Sequence, residues 1–541
     1  MPSRAAITVI FACVIASSLG AQARGWVPPQ APCDIKPGFF RINSAVVDLQ
    51  SAATQPRTRD NMLHQAQDVL VRSITGDAQD KNPAAWYYLG RYYTEMHDAA
   101  GADSAFRRAL QLAPQCQQDI DGYRAELWTD VVQAGLRTWQ ENKLDSAKLL
   151  LRQAIALRPN NPRAPLALGQ IYASENNVDS ASAALTQAAA AAGNDTAYAS
   201  MKKDALSTTV RLQLERLQRD PAVQRWQGDR VSRDSVQRLI ANDSSVLVRM
   251  QASSASRRAR GARLAPPDQQ AFSRDSTARA RAVADRRAAL ATQATAAAGD
   301  STAAQAAYDP VIKAFQSYLA AYPDATDAVP GLASLYYQSG RLADAAAAFD
   351  AIYPPGRTTD PDVLLEAGKG AIRGNAFAAG AALLERALAQ RPANREGLMS
   401  LANAYLALRD SARLLGAAQR LAAVDPMNRA TLRLLAAGFD LRGRRDSAQK
   451  YQDLANGGMQ VELSIDGLSS DSSGYTLTGT ASNAGATTSP VQRVTFEFLD
   501  AQGHVALSQS VEIAPLPPQG SKPIQIHVPG TALVAWRYKR S

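Results

Sequence analysis

Hydrophobic residues along most of this chain recur at the spacing of amphipathic helices, and the spacing changes to alternation near the end. Between Pro83 and Pro114, large and small apolar residues stand three or four positions apart, as in two helices that pack together. After Gly457, apolar and polar residues alternate over short runs separated by Gly, Asn, Asp and Pro, as in strands. The pattern predicts a mostly α chain with a small all-β C-terminal region.

A fixed repeat organises the helical part. Counted from Pro83, apolar or small residues occupy positions 4, 7, 8, 11, 20, 24, 27 and 32, which are Trp86, Leu89, Gly90, Tyr93, Ala102, Phe106, Ala109 and Pro114. This spacing resembles the tetratricopeptide repeat, a helix-turn-helix unit of about 34 residues. The same frame begins again at Trp128, Pro162, Thr326, Pro361, Arg395 and Arg429.

The resemblance implies an α-solenoid in two arrays, over residues 24–193 and 308–458. Half-repeats are expected to flank them, at residues 61–74 and 308–322. In the second of these, Asp309 is placed to cap a helix and Pro310 to stand in its first turn.

Residues 194–307 break the period and are predicted to be a basic, partly disordered helical insertion. Between Lys202 and Arg287 there are 19 Lys and Arg against 9 Asp and Glu, an excess of +10 that equals the net charge of the whole chain. Scattered apolar residues suggest short amphipathic helices, and the Arg-rich stretch from Ser253 to Leu264 is expected to be mobile. The charge fits an anionic membrane, polymer or acidic partner, or simply a solvated arm; few aromatic residues accompany it, so nucleic acid is the weakest candidate.

The N-terminus has the pattern of a signal peptide. Arg4 precedes an apolar run from Ala5 to Leu19 and then the small-residue pattern Gly20-Ala21-Gln22-Ala23, so residues 1–23 are predicted to be removed on export. No later segment is long and apolar enough to span a bilayer. We therefore expect a periplasmic or extracellular protein, with association to an outer membrane left open.

Two cysteines remain after removal of residues 1–23, namely Cys33 and Cys116. In an oxidising compartment an even pair suggests one disulfide, and the alternative is two separate thiols. Two cysteines and four scattered histidines are too few ligands for a metal site, so no metal is expected.

The C-terminal residues 459–541 are predicted to form an antiparallel β-sandwich of immunoglobulin-like type. Several of its motifs resemble the small bacterial family called FxLYD, found at the termini of envelope proteins. They are Thr478-Gly479-Thr480, Asn483, the run Phe496-Glu-Phe-Leu-Asp500 in place of the eponymous motif, Gly503, Leu516-Pro-Pro and Gly520.

No nucleophile elbow, phosphate-binding glycine loop, dinucleotide fingerprint or His-Glu-x-x-His motif occurs, so neither an enzyme nor a bound cofactor is expected. The resemblance implies instead a concave groove that binds extended peptides through the first helix of each repeat. Its lining would include Tyr87, Arg91, Trp139, Gln170, Lys369, Asn403 and Arg433. We expect an exported scaffold for protein or peptide partners; the alternatives are a structural component of an outer-membrane or secretion assembly that uses the basic insertion, and, less favoured, an envelope hydrolase.

Overall fold

The computed structural model describes residues 26–259, 265–296, 298–530 and 532–540. The predicted signal peptide, residues 1–23, and residues 260–264 of the stretch expected to be mobile lie outside these ranges. The chain divides into two compact units, with the boundary between Ala205 and Leu206. The described part is mostly helical, with a β region at its C-terminal end, which confirms the predicted fold class.

The first unit is built from helices that pack in consecutive antiparallel pairs. The pairs are α1 (Phe40–Thr54) with α2 (Arg59–Thr75), α3 (Pro83–Glu95) with α4 (Ala99–Leu112), α5 (Gln117–Gln140) with α6 (Leu144–Leu157), and α7 (Arg163–Ser174) with α8 (Val178–Ala192). Helix α9 (Ala199–Arg219) contains the boundary between the units.

Small residues at frame position 8 allow the two helices of a repeat to touch. A Cβ atom added to Gly90 would lie 2.5 Å from Cδ1 of Phe106, the residue at position 24 of the same repeat. In the third repeat, a Cβ atom added to Gly169 would lie 2.7 Å from Cγ of Leu185. Distances this short leave no room for a side chain, so packing requires glycine at position 8 of these two repeats.

The turn inside each repeat has one residue in the left-handed conformation, always at frame position 15. These residues have φ between 55° and 76° and are His97, Asn142, Asn176, Gly340, Asn375, Arg409 and Gly443. Left-handed backbone is favourable for Gly and tolerated by Asn, but it is costly for His and Arg. The recurrence at one position shows that the seven frames have the same turn geometry.

After α9, the second unit continues with three long helices, α10 (Pro221–Ala259), α11 (Pro266–Ala296) and α12 (Ala298–Ala321). The expectation of short helices is wrong, and residues 253–259, expected to be mobile, are helical. Helix α12 also runs through Pro310 instead of starting there. The reason is burial on both sides of the proline, because Ala304, Tyr308, Val311 and Phe315 all lie in the core.

Paired helices continue after α12. They are α13 (Val329–Gln338) with α14 (Leu342–Ile352), α15 (Pro361–Arg373) with α16 (Phe377–Gln390), α17 (Arg395–Ala407) with α18 (Ser411–Val424), and α19 (Arg429–Leu441) with α20 (Arg445–Asp453). Several begin at a side-chain cap; the carboxylate of Asp360, for example, accepts a hydrogen bond of 2.8 Å from the backbone N–H of Asp362.

In the described part of the chain six strands follow, in two antiparallel sheets of three. The strands are β1 (Val461–Asp471), β2 (Gly474–Asn483), β3 (Gln492–Leu499), β4 (Val505–Ile513), β5 (Ser521–Val528) and β6 (Ala535–Arg540). Their order is β1-β2-β5 in one sheet and β4-β3-β6 in the other. Large buried residues face each other across neighbouring strands on the inner faces of the sheets. Examples are Leu477 opposite Ile526 and Phe496 opposite Tyr538.

The β region and the last helices share one hydrophobic core. The backbone N–H of Leu463 in β1 donates to the carbonyl of Met427, just before α19, at 2.8 Å. The backbone N–H of Arg429 donates to Glu462 at 3.1 Å. These bonds fix the sheets to the end of the second array.

Candidate partner-binding surfaces

The seven residues predicted to line a groove fall in both units. Tyr87, Arg91, Trp139 and Gln170 belong to the first unit, and Lys369, Asn403 and Arg433 to the second. Gln170, Asn403 and Arg433 are exposed, and Trp139 and Lys369 are half-buried. Tyr87 and Arg91 are only 0% and 7% exposed, so they present no open surface.

The N-terminal segment covers Arg91, whereas Tyr87 is enclosed by the rings of Tyr88, Phe106 and Tyr123. Residues 26–37, which we call the strap, run without helix or strand structure across the first helices of this unit. The guanidinium of Arg91 lies 3.7 Å from the ring centroid of Trp26, and its Nη1 donates to the carbonyl of Val27 at 3.0 Å. Trp26 in turn stacks on Tyr88, with 6.1 Å between ring centroids. Arg91 is therefore engaged by the chain itself.

The other end of the strap is held by two further contacts. The side-chain amide of Asn82 donates to the carbonyl of Pro37 at 3.0 Å. The sulfur atoms of Cys33 and Cys116 form a disulfide, with both residues almost completely buried at 1% and 0% exposure. Cys116 is the last residue of the Pro83 repeat and stands directly before α5, so the bond joins the strap to the connection between the first and second repeats.

An aromatic cluster surrounds the Arg91 guanidinium. The ring of Tyr123, from α5, has its centroid 5.0 Å from the guanidinium carbon, and the rings of Tyr87 and Tyr88 lie 5.9 Å and 6.0 Å away. Tyr87 donates a short hydrogen bond to Asp119. Burial is the main cause that raises the pKa of the Tyr87 hydroxyl, so it stays protonated and acts as a donor.

A cleft of about 780 Å³ remains beside the strap. Its lining comes from the strap, from the first helices α1, α3 and α5, and from neighbouring residues that include Arg59 of α2. Part of the cleft wall is polar. It includes Glu95, which is paired with Arg59 at 2.7 Å, and Asp130, which lies 3.2 Å from His97. The volume lies in the range of small-molecule and short-peptide sites, about 300 to 1,000 Å³.

In the second unit, Lys369 connects two neighbouring repeats. Its ammonium donates to Glu366 at 2.7 Å and to Glu396, at the start of the next first helix, at 2.8 Å. Burial opposes the charged form of Lys369, but the two hydrogen bonds outweigh it and its pKa is raised. Lys369 therefore has a structural role, and exposed Asn403 and Arg433 are the predicted groove residues left open here.

Helices α10 and α11 form a hairpin that we call the basic arm. Asp243 on α10 accepts hydrogen bonds from two arginines of α11, Arg279 at 3.1 Å and Arg286. The base of the arm is anchored to α13, because the indole N–H of Trp226 donates to the carbonyl of Gln338 at 3.0 Å. Other arginines of the arm are exposed, including Arg249, Arg274, Arg281 and Arg287.

The strap is the feature of this surface that sequence reasoning missed. The sequence does carry a signal for it, since Trp26 is followed by four prolines within residues 28–37, a composition typical of extended segments that dock on aromatic surfaces. Among the described residues, no group of three or more His, Cys, Asp or Glu side chains is arranged to hold a metal ion. A bilayer crossing needs a long apolar helix, and the described part of the chain contains none.

Family models described as tetratricopeptide repeat match residues 83–116, 138–205 and 291–361. These stretches include the frames that begin at Pro83, Pro162 and Thr326. The chain therefore contains tetratricopeptide repeats, an architecture typical of non-catalytic scaffolds for protein–protein interaction. Among curated proteins, none matches this sequence.

Solved structures with similarity to this chain include MamA, PilF of Pseudomonas aeruginosa and yeast Tom70. The crystal structure of MamA is 20% identical over 29% of this chain and 92% of its own, with a TM-score of 0.20. PilF is 12% identical over 62% and 92%, with a TM-score of 0.18, and Tom70 is 12% identical over 70% and 92%, with a TM-score of 0.19. TM-scores of this size establish no shared overall structure. The assignment of the repeats is therefore based on the family models and on the geometry of the helices.

Proposed function

We propose that this protein is an exported scaffold that binds peptide segments or domains of partner proteins in the bacterial envelope. The observation that carries the proposal is the open first-helix surface of the second array, where Asn403 and Arg433 are exposed at positions that bind peptides in tetratricopeptide relatives. An amide and a guanidinium are suited to this role because both donate hydrogen bonds to main-chain carbonyls and carboxylates.

Export is supported by two independent features. The sequence of residues 1–23 has the pattern of a signal peptide, and the Cys33–Cys116 disulfide is of a kind that persists in oxidising compartments. The C-terminal sheets supply a second docking surface for another envelope component. Edge strand β4 is largely exposed, which leaves its backbone available to a partner strand.

The scaffold proposal is tested by capturing envelope proteins with the wild-type chain and with two matched double variants. Asn403→Ala with Arg433→Ala removes polar groups from the first helices. Gln390→Ala with Gln419→Ala removes exposed groups of similar size from second helices α16 and α18. We expect a partner identified by mass spectrometry to be lost from the first variant alone. Equal capture by all three proteins would contradict a role for this surface.

A second candidate function is contact with an anionic membrane or polymer through the basic arm. The exposed arginines of the arm favour this function, namely Arg249, Arg274, Arg281 and Arg287. Each Lys or Arg near an anionic surface contributes about 1 kcal/mol of binding free energy. Sedimentation with anionic and zwitterionic vesicles tests it over a range of salt concentrations. Changing these four arginines to Gln should abolish any salt-sensitive binding to the anionic vesicles; binding that persists in the variant would exclude the arm.

A further inference from the structure

The strap occupies the surface that the repeat frame assigns to ligands in the first array. Arg91 stands at frame position 9 of the Pro83 repeat and is covered by Trp26 and Val27 of the strap. Tyr87, at position 5, is buried beside it against Phe106 and Tyr123. The occupied surface is polar and aromatic: one guanidinium, one amide donor from Asn82, and the rings of Tyr88 and Tyr123. Further along the strap, Cys33 and Ile35 are buried in the hydrophobic core of the first unit.

The strap contacts this surface as a bound peptide would. It supplies one aromatic side chain, Trp26, to the Arg91 guanidinium and two main-chain carbonyls, of Val27 and Pro37, to side-chain donors. Its prolines, at positions 28, 29, 32 and 37, hold it extended at a low entropic cost. These are the elements by which aromatic grooves recognise proline-rich segments.

We propose that the groove beneath the strap is a binding site for an extended, proline-rich segment that carries an aromatic side chain, contributed by a partner protein, and that the strap is its internal competitor. This inference rests on the scaffold function proposed above and names one class of partner for the first array. The aromatic side chain of the partner takes the place of Trp26 on Arg91, and its carbonyls accept the hydrogen bonds of Arg91 and Asn82.

The disulfide decides which segment occupies the groove. While Cys33 is bonded to Cys116, the strap competes at the high effective concentration of a tethered ligand, and external segments are excluded. A dithiol reductant opens the groove: its thiolate attacks one sulfur and forms a mixed disulfide, and its second thiol releases that sulfur. Two electrons pass from the dithiol, which becomes a cyclic disulfide, and Cys33 and Cys116 leave as thiols after taking up the two protons.

The test uses the full chain and a fluorescein-labelled peptide with the sequence of residues 26–37, in which Ser replaces Cys33. Fluorescence anisotropy should show no binding to the oxidised wild type and clear binding to Cys33→Ser with Cys116→Ser. Adding Trp26→Ala to that variant weakens the competing strap, so affinity for the peptide should rise by about tenfold, the equivalent of one aromatic contact. Adding Arg91→Ala as well should abolish it. Equal binding to the wild type, or none to the folded Trp26→Ala variant, would overturn the proposal.

A second measurement keeps the disulfide intact, in case its removal prevents folding. Trp26→Ala in the oxidised chain vacates only the indole position above Arg91. N-acetyl-tryptophanamide, followed by ligand-observed NMR, should then bind this variant but neither the wild type nor Trp26→Ala with Arg91→Ala. Binding to all three proteins, or to none, would contradict the proposal. Either failure would leave the second array and its test at Asn403 and Arg433 unaffected.

Discussion

The hydroxyl group of Tyr538 donates a hydrogen bond of 2.5 Å to the carboxylate of Asp425, a side chain with no solvent exposure. Tyr538 lies in the last strand, and Asp425 follows α18 of the second array. The same carboxylate accepts a bond of 2.8 Å from Nε of Arg395, and the Tyr538 oxygen accepts one of 3.1 Å from the backbone N–H of Met427. One buried network therefore joins the sheets to two helices of the array.

Tyr538→Phe should destabilise the second unit. The substitution leaves the N–H of Met427 and one oxygen of Asp425 buried without their partner, at a cost of about 1 to 3 kcal/mol in the free energy of unfolding. Urea denaturation followed by circular dichroism measures this change. Tyr475→Phe, at a half-buried tyrosine on β2, is the matched control and should change stability far less. Equal effects of the two substitutions would show that the network adds nothing.

Asp425 should also make stability depend on pH in the acid range. Burial is the main cause that raises the pKa of Asp425 above its ordinary value of 3.8, in spite of the hydrogen bonds from Tyr538 and Arg395. The folded protein therefore holds this proton more tightly than the unfolded chain does. The contribution of Asp425 to stability is complete below pH 3.8 and is lost as pH rises through the higher folded value. The difference in unfolding free energy between the wild type and Asp425→Asn should fall over that range; a constant or rising difference would contradict the raised pKa.

Arg409→Gly should stabilise the second unit by up to about 1 kcal/mol, because glycine avoids the cost of the left-handed conformation at this turn. The backbone of Arg409 has φ of 55°, and two other repeats already have Gly at this position. Arg413→Gly, four residues later inside α18, should have the opposite effect, a loss of about 1 kcal/mol. Thermal unfolding of both variants checks the prediction. A loss of stability in Arg409→Gly would contradict the turn geometry.

Gly90→Leu should destabilise the first unit by about 1 to 3 kcal/mol, because the new side chain must displace the ring of Phe106. Gly416, on α18, is the matched control: a Cβ atom there would meet nothing within 4 Å. Gly416→Ala should therefore stabilise its helix by about 0.5 to 1 kcal/mol. Chemical denaturation distinguishes the two. Tolerance of leucine at position 90 would mean that the paired helices are not in the close contact that the repeat requires.

The helical arrays and the β region could be predicted because their signals are local and periodic. Gly90 and Phe106 lie 16 residues apart in the same repeat, and the pairing recurs at Gly169 with Leu185. The strap could not be predicted in this way. Arg91 and Val27 are 64 positions apart, and their contact does not recur in the other repeats, so no periodic pattern in the sequence indicates it. The frame correctly placed Tyr87 and Arg91 on a first helix but could not show what covers them.

The insertion was mispredicted for another physical reason. Helix α10 has several exposed apolar residues, Val231, Leu239 and Val248. Because its apolar residues do not form one buried face, their spacing in the sequence does not show where the helix begins and ends. Asp243, which binds two arginines of α11, holds the arm together through charge pairs that lie far apart in sequence. Trp86 shows a smaller departure: it stands at frame position 4, among the apolar residues expected to pack between helices, but it is half-buried and its indole N–H donates to the carbonyl of Asp80.

The Cys33–Cys116 bond also has a mechanical consequence. It closes a covalent ring that contains α1 to α4, because the two cysteines are 83 positions apart in the sequence. A pulling force applied at the two ends of the chain passes through the bond and bypasses everything inside the ring. The fully stretched oxidised protein should therefore be about 280 Å shorter than the reduced one, at about 3.4 Å per residue. The first repeat would keep its helices under tension that unravels the repeats after it.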